Sequence, residues 1–203
     1  MNSRRSRVEQ SAANRGRVLA AARKVFTDRG YHATTLELVA EEAGFTKGAV
    51  FSRFSSKADL FLALYEERID ERVKEIGALP KRRGAKTPEA ITRQWLERLR
   101  GDEAWTLLVL EFRIAAVREP ASAARYRALH ARLVEAITDV VTRDLDDAGL
   151  ESILTPAESA HAGMALANGL LLERLASPRR LPADLTLRAS RGLIAGILKK
   201  RGR

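Results

Sequence analysis

Within seven residues the chain carries Lys47, Gly48, Ala49, Ser52 and Arg53: two cations and a hydroxyl interleaved with the two smallest residue types. Lysine and arginine donate hydrogen bonds to guanine O6 and N7 or to phosphate. Serine can serve either, and an alanine methyl can touch the thymine methyl. Glycine and alanine let the backbone that bears them come close to a surface. No one of these residues is diagnostic, and the arrangement takes its meaning from what stands between them. Val50 and Phe54, at i and i+4, share one helical face. With those two turned into a core, the residues around them must point outward.

The flanking residues supply the elements that would hold this face. Thr34 with Glu37 has the spacing of a capping box, opening a helix with Leu36, Val39, Ala40 and Ala43 on one side. Gly44 stops it, because the left-handed position after a helix is cheapest as glycine. Thr46 caps the next helix. Two helices joined by so tight a turn make a helix-turn-helix, whose second helix presents its N-terminal side chains to the major groove. Lys57 then falls at the rim as a phosphate contact, and Thr35 offers a hydroxyl and a backbone N–H to another phosphate. A hairpin that merely packed a small bundle would have no need of Lys, Gly and Ser on its outer face.

Charge agrees with this placement. The formal net charge is +10 over 203 residues, but residues 1–57 hold 11 Lys and Arg against 5 Asp and Glu, while the rest hold 25 against 21. The basic excess therefore surrounds the hairpin, and the remainder is near balance. Arg4, Arg5, Arg7, Arg15 and Arg17 are either a solvated tail or an arm on the DNA backbone or minor groove. The absence of cysteine excludes disulfides, thiolate chemistry and cysteine-ligated metals. His32, His130 and His161 lack the spacing of a helical metal pair. Gly84-Ala85-Lys86-Thr87 has neither the Gly-Lys pair nor the upstream glycine of a phosphate-binding loop. No nucleophile elbow or dinucleotide fingerprint occurs, so neither an enzyme nor a cofactor is expected. With no signal peptide and no apolar run of membrane-spanning length, the expectation is a soluble cytoplasmic protein.

Elsewhere apolar residues recur at three and four, as in Val18, Leu19, Ala22, Val25 and Phe26, and runs of β-branched residues with period two are missing. The pattern predicts an all-α chain of about nine helices, over 12–29, 35–43, 47–54, 57–77, 88–99, 104–117, 120–148, 156–176 and 183–200. Thr87-Pro88 and Thr155-Pro156 mark two of the starts, the second completed as a capping box by Glu158. Pro80 to Lys86 reads as an exposed loop. Two layers follow: residues 1–56 as the reading domain with a basic arm over 1–11, and residues 57–203 as a second helical domain, with the helix at 57–77 as connector.

The run from Val18 to Phe61 resembles the DNA-binding domain of the tetracycline-repressor (TetR) family of bacterial regulators. The matching features are Ala21 and Ala22, Phe26, Arg29-Gly30-Tyr31, Thr34-Thr35, Val39-Ala40, Ala43-Gly44-Phe45, Thr46-Lys47-Gly48, Phe51, Phe54, Lys57 and Leu60-Phe61. Phe51 stands where the family usually has tyrosine, so a phenolic phosphate contact is lost while the ring can still pack against sugar or a thymine methyl. The resemblance covers the first third of the chain and implies a C-terminal domain for ligand binding and dimerisation. Candidate effector-pocket residues are Trp105, Leu108, Phe112, Tyr126, His130, Met164 and Asn168, with plain core packing, and Glu111 paired to an arginine, as the other reading. Leu166, Leu170, Leu193, Ile194 and Ile197 are candidates for a dimer face made by the last two helices. The implied function is a homodimeric regulator, a repressor released from a near-palindromic operator in double-stranded DNA by a small molecule. A sequence-tolerant architectural DNA-binding protein is the competing reading.

Overall fold

Val18, Leu19, Ala22, Val25 and Phe26 are all buried and form the inner face of the first helix. The computed structural model describes residues 2–78, 102–178, 180–182 and 184–200. Its helices are α1 (Asn2–Ala33), α2 (Leu36–Ala43), α3 (Lys47–Phe51), α4 (Lys57–Ala78), α5 (Glu103–Ala116), α6 (Pro120–Ala148), α7 (Pro156–Ala176) and α8 (Leu185–Ile197). The fold is all-α, and the helix expected over 88–99 and the loop before it lie outside the described residues. The first helix starts at Asn2 rather than near residue 12: no glycine or proline precedes Gly16 to interrupt it.

Residues 1–70 with 104–129 make one compact unit, and 71–103 with 130–203 make a second. Helices α4 and α6 contribute residues to both. The first unit is centred on an aromatic cluster. Phe61 stacks on Phe112 at 4.3 Å and meets Phe26 edge-on at 5.5 Å, while Tyr31 meets Phe112 edge-on at 5.1 Å. Trp105 stacks on Phe61, and Tyr126 lies against Tyr65 at 5.2 Å. Trp105, Leu108, Phe112 and Tyr126 are therefore core residues of the unit that contains the hairpin. Their assignment to an effector pocket gives way to the packing alternative, because the large aromatics of α5 and α6 fill a core rather than line a cavity. Burial pushes the Tyr31, Tyr65 and Tyr126 phenols above their ordinary range, so all three rings are neutral packing elements.

The second unit includes a two-stranded antiparallel ribbon, β1 (Leu150–Ser152) with β2 (Leu198–Lys200), in the register Leu150 to Lys200 and Ser152 to Leu198. The helix expected over 183–200 thus ends at Ile197, where the chain turns extended to pair with β1. Three-residue strands are too short to show alternation, which is why periodicity missed them. The ribbon brings Leu150 and Leu198 onto Val141 and Leu145, and Ile194 and Ile197 pack on the same cluster. Those two isoleucines were expected on a dimer face; they turn at least partly into their own chain. The α7 start is as the spacing predicts: Thr155 Oγ1 accepts from the Glu158 N–H at 3.2 Å, and Glu158 Oε2 accepts from the Thr155 N–H at 2.7 Å. The Thr155 N–H and hydroxyl, both donating to Glu158 Oε2, hold that carboxyl below its ordinary value.

Candidate functional site

Helix α2 opens one residue later than the capping-box spacing implied. Thr35 is the cap, its side chain accepting from the Leu38 N–H at 3.3 Å. Thr34 is unavailable because it is buried, with its hydroxyl donating to the Gly30 carbonyl at 2.7 Å. Gly44 takes φ 68° and ψ 34°, and the Phe45 N–H closes onto the Ala40 carbonyl at 2.9 Å. Arg17 braces this turn from α1, donating to the Ala43 carbonyl at 3.2 Å with its guanidinium over the Phe45 ring. Thr46 then caps α3 by accepting from the Ala49 N–H at 3.3 Å. Regular α-helix ends at Phe51, but the Phe54 N–H still reaches the Val50 carbonyl at 3.0 Å, so the helical path continues to Phe54.

Val50 and Phe54 are 0% and 4% exposed, which fixes the rotation of α3. Thr46, Lys47, Gly48, Ser52 and Arg53 consequently lie exposed, with Ala49 half-buried beside them. Phe51 is 41% exposed, its ring 5.3 Å from the Lys47 ammonium. A side chain added at Gly48 would meet nothing within 4 Å. Two cations on this face have acceptors within the chain. Lys47 pairs with Glu37, whose carboxyl it holds below its ordinary range, and Arg53 donates to the Ser11 carbonyl at 3.2 Å. Both contacts are solvent-exposed, so exchanging them for phosphate or base acceptors costs little. The sequence pointed to Glu37 only as a capping-box partner, not as the acceptor for Lys47, and did not point to Ser11. The Glu37 pairing could have been found, because Glu37 lies within reach of the first residue of α3.

Lys57 is placed differently from the expected rim contact. Its ammonium donates to the carbonyls of Tyr31 at 2.8 Å and His32 at 3.0 Å, and it lies over the Tyr31 ring. Desolvation lowers its pKa. The same turn holds Gly30 at φ 76° and ψ 172°, and the Tyr31 N–H donates to Glu111 Oε2 at 2.6 Å. Thr34, Lys57 and Glu111 thus bind the backbone where α1 ends. Glu111 meets an amide there instead of the expected arginine. Lys57→Met keeps the stem and removes two bonds, so thermal unfolding is expected to show a loss of about 1 kcal/mol, or about 2–4 °C in Tm. An unchanged Tm with uniformly weaker DNA binding would restore Lys57 as a phosphate contact.

The second unit holds a cavity of about 130 Å³, open to solvent beside the exposed Leu193 and walled by α4, α6, α7 and α8 and by Leu154. Its sides include Ile76, Val140, Leu166, Leu193 and Ile194, with Ser159 and Ser190 between them. None of the seven residues first assigned to an effector pocket lines it; His130, Met164 and Asn168 are half-buried elsewhere in this unit. Four of the five residues first assigned to a dimer face (Leu166, Leu193, Ile194 and Ile197) do line it, while Leu170 is half-buried outside the lining. The signal that could have found it is the facing of apolar residues at three and four on α6, such as Ile137, Val140 and Val141, toward a serine-bearing face of α7. Among the described residues no group of His, Asp and Glu could hold a metal ion, and no helix is long and apolar enough to cross a membrane.

Residues 18–64 match the bacterial regulatory proteins of the tetR family, and residues 86–199 match the C-terminal domain of BetI-type transcriptional repressors. The HTH-type transcriptional activator FasR of Mycolicibacterium smegmatis is 30% identical over 172 residues, covering 81% of this chain and 70% of FasR. The HTH-type transcriptional repressor AcnR of Corynebacterium glutamicum is 38% identical over 74 residues, 35% of this chain and 39% of AcnR. Among solved structures, a putative transcriptional regulator from Saccharomonospora viridis in complex with choline superposes with a TM-score of 0.71 at 18% identity, covering 93% of this chain and all of that one. The first match spans the capped hairpin and its core, and the second takes in the half that holds the cavity. The chain belongs to the TetR family of bacterial transcriptional regulators and is not an enzyme.

Proposed function

We propose that the chain is a homodimeric repressor that reads a near-palindromic operator through α3 and is released when a small molecule occupies the second unit. The observation that carries the reading is the rotation of α3, whose buried Val50 and Phe54 leave Thr46, Lys47, Gly48, Ser52 and Arg53 on one open face. Thr35, Ala49 and Phe51 flank it for phosphate, methyl and sugar contacts. The relatives include an activator and a repressor by name, and repression is the simpler consequence of an operator bound and then vacated.

Dimerisation is supported by the outer faces of α7 and α8. Leu172, Leu175 and Leu193 are exposed there, and added side chains at Gly169, Gly192 and Gly196 would meet nothing within 4 Å. Small residues beside exposed leucines allow two helices of a second copy to approach closely, and a two-fold pair suits a palindrome. Helix α4, which contributes to both units, is the lever by which an occupied cavity changes half-site separation. A coupling of about 1–3 kcal/mol is enough. The proposed division of labour is residues 1–56 for DNA and 57–203 for effector and partner, acting in the cytoplasm.

The test is selection of bound duplexes from a random-sequence pool, followed by footprinting. One short, near-palindromic protected motif is expected. Lys47→Ala or Arg53→Ala should relax preference at particular base pairs, with about 1–3 kcal/mol of discrimination lost at each. Uniform coverage without a motif would overturn the reading in favour of an architectural role.

A further inference from the structure

The cavity of the second unit has a chemistry that the regulatory reading does not require. Its lining, among the described residues, holds no charged side chain, and its polar atoms come from little more than Ser159 and Ser190. Both serines are buried. Ser159 lies in the first turn of α7, where its backbone N–H is already bonded to the Thr155 carbonyl at 2.9 Å. Its hydroxyl is buried without a hydrogen-bond partner. A helical serine ordinarily satisfies its hydroxyl on a carbonyl one turn back. This one does not, and it lies in the wall of an apolar cavity.

We infer that the cavity binds an uncharged aliphatic molecule of about six carbons, with one oxygen hydrogen-bonded to the Ser159 hydroxyl. The size follows from the volume: an apolar cavity of about 150 Å³ takes benzene, and this one is about 130 Å³. The neutrality follows from desolvation. A carboxylate or ammonium placed among Ile76, Val140, Leu166 and Ile194 loses hydration and meets no counter-charge among the described lining residues. The single oxygen follows from the orphan hydroxyl, which can donate to an acceptor or accept from a donor. This deepens the proposed function, and rests on it only for the consequence at DNA; binding itself does not depend on that reading.

The experiment is titration calorimetry of the full chain with 1-hexanol, hexanoate, hexylamine and 1-chlorohexane at neutral pH. Hexanol is expected to bind once per chain, and hexanoate and hexylamine at least about tenfold more weakly. Ser159→Ala removes an unpartnered buried hydroxyl and keeps a good helix former, so the variant retains its fold. It is expected to weaken hexanol about fivefold, the loss of one hydrogen bond, and to leave chlorohexane unchanged. Hexanoate binding as tightly as hexanol, a Ser159→Ala variant that binds hexanol undiminished, or no binding of hexanol at all overturns the inference. A parallel measurement on the selected duplex separates the two proposals. Hexanol that binds without loosening DNA refutes effector control and supports the ligand class. A palindrome bound tightly by a protein that ignores hexanol refutes the ligand class and supports operator recognition.

Discussion

Gly30→Ala is expected to destabilise the protein by about 2–4 kcal/mol, seen as a Tm lower by about 5–15 °C in thermal unfolding. Two costs add at this position. At φ 76° and ψ 172° the backbone is in a region that residues with a Cβ rarely enter. The added Cβ would also lie 2.8 Å from Glu111 Oε2, the atom that accepts the Tyr31 N–H. The carboxylate cannot withdraw without giving up that bond. The double variant Gly30→Ala, Glu111→Ala isolates the part due to collision, because it relieves the contact and leaves the backbone strain. Its stability should exceed the sum of the two single effects by about 0.5–2 kcal/mol. Strict additivity would mean that Glu111 swings away freely and does not hold the turn.

Phe112→Ala is expected to cost about 3–5 kcal/mol in chemical denaturation. Phe112 is 1% exposed, stacked on Phe61 at 4.3 Å, edge-on to Tyr31 at 5.1 Å and tilted against Tyr126 at 5.8 Å. Truncation leaves a void among rings that cannot collapse into it. The result discriminates between two roles for one residue. A pocket-lining Phe112 would tolerate truncation with about 1 kcal/mol or less of stability lost and a changed ligand response. A core Phe112 loses stability whether or not a ligand is present.

The hairpin was legible because its determinants are local. Gly44 needs only a left-handed backbone position, Thr46 only an amide three residues on, and Val50 with Phe54 only the helical repeat. These contacts close within a few residues, so their spacing in the chain specifies them. The capping box at Thr155 and Glu158 was legible for the same reason. The exception, the cap moving from Thr34 to Thr35, arose because Thr34 has a distant competitor in the carbonyl of Gly30. Two threonines in a row look alike until one of them is buried.

The second unit was less legible, since its decisive contacts join residues far apart in the chain. Leu150 reaches Leu198 through a ribbon too short to leave a periodic trace. The same holds for the aromatic cluster of the first unit, where Trp105, Phe112 and Tyr126 share the apolar character of a pocket lining and burial against Phe61 and Tyr65 makes them core instead. Leu193 and Ile194, adjacent in α8, show the same division: one is exposed and the other half-buried on the ribbon cluster. Residue type and spacing were enough to specify the helices, the turn and the outward face of α3, because hydrogen-bond geometry and the helical repeat act over short stretches of chain. Which aromatics became core, which serine was left without a partner and where a cavity opened depended on tertiary packing, because those outcomes rest on volumes contributed by helices far apart in sequence.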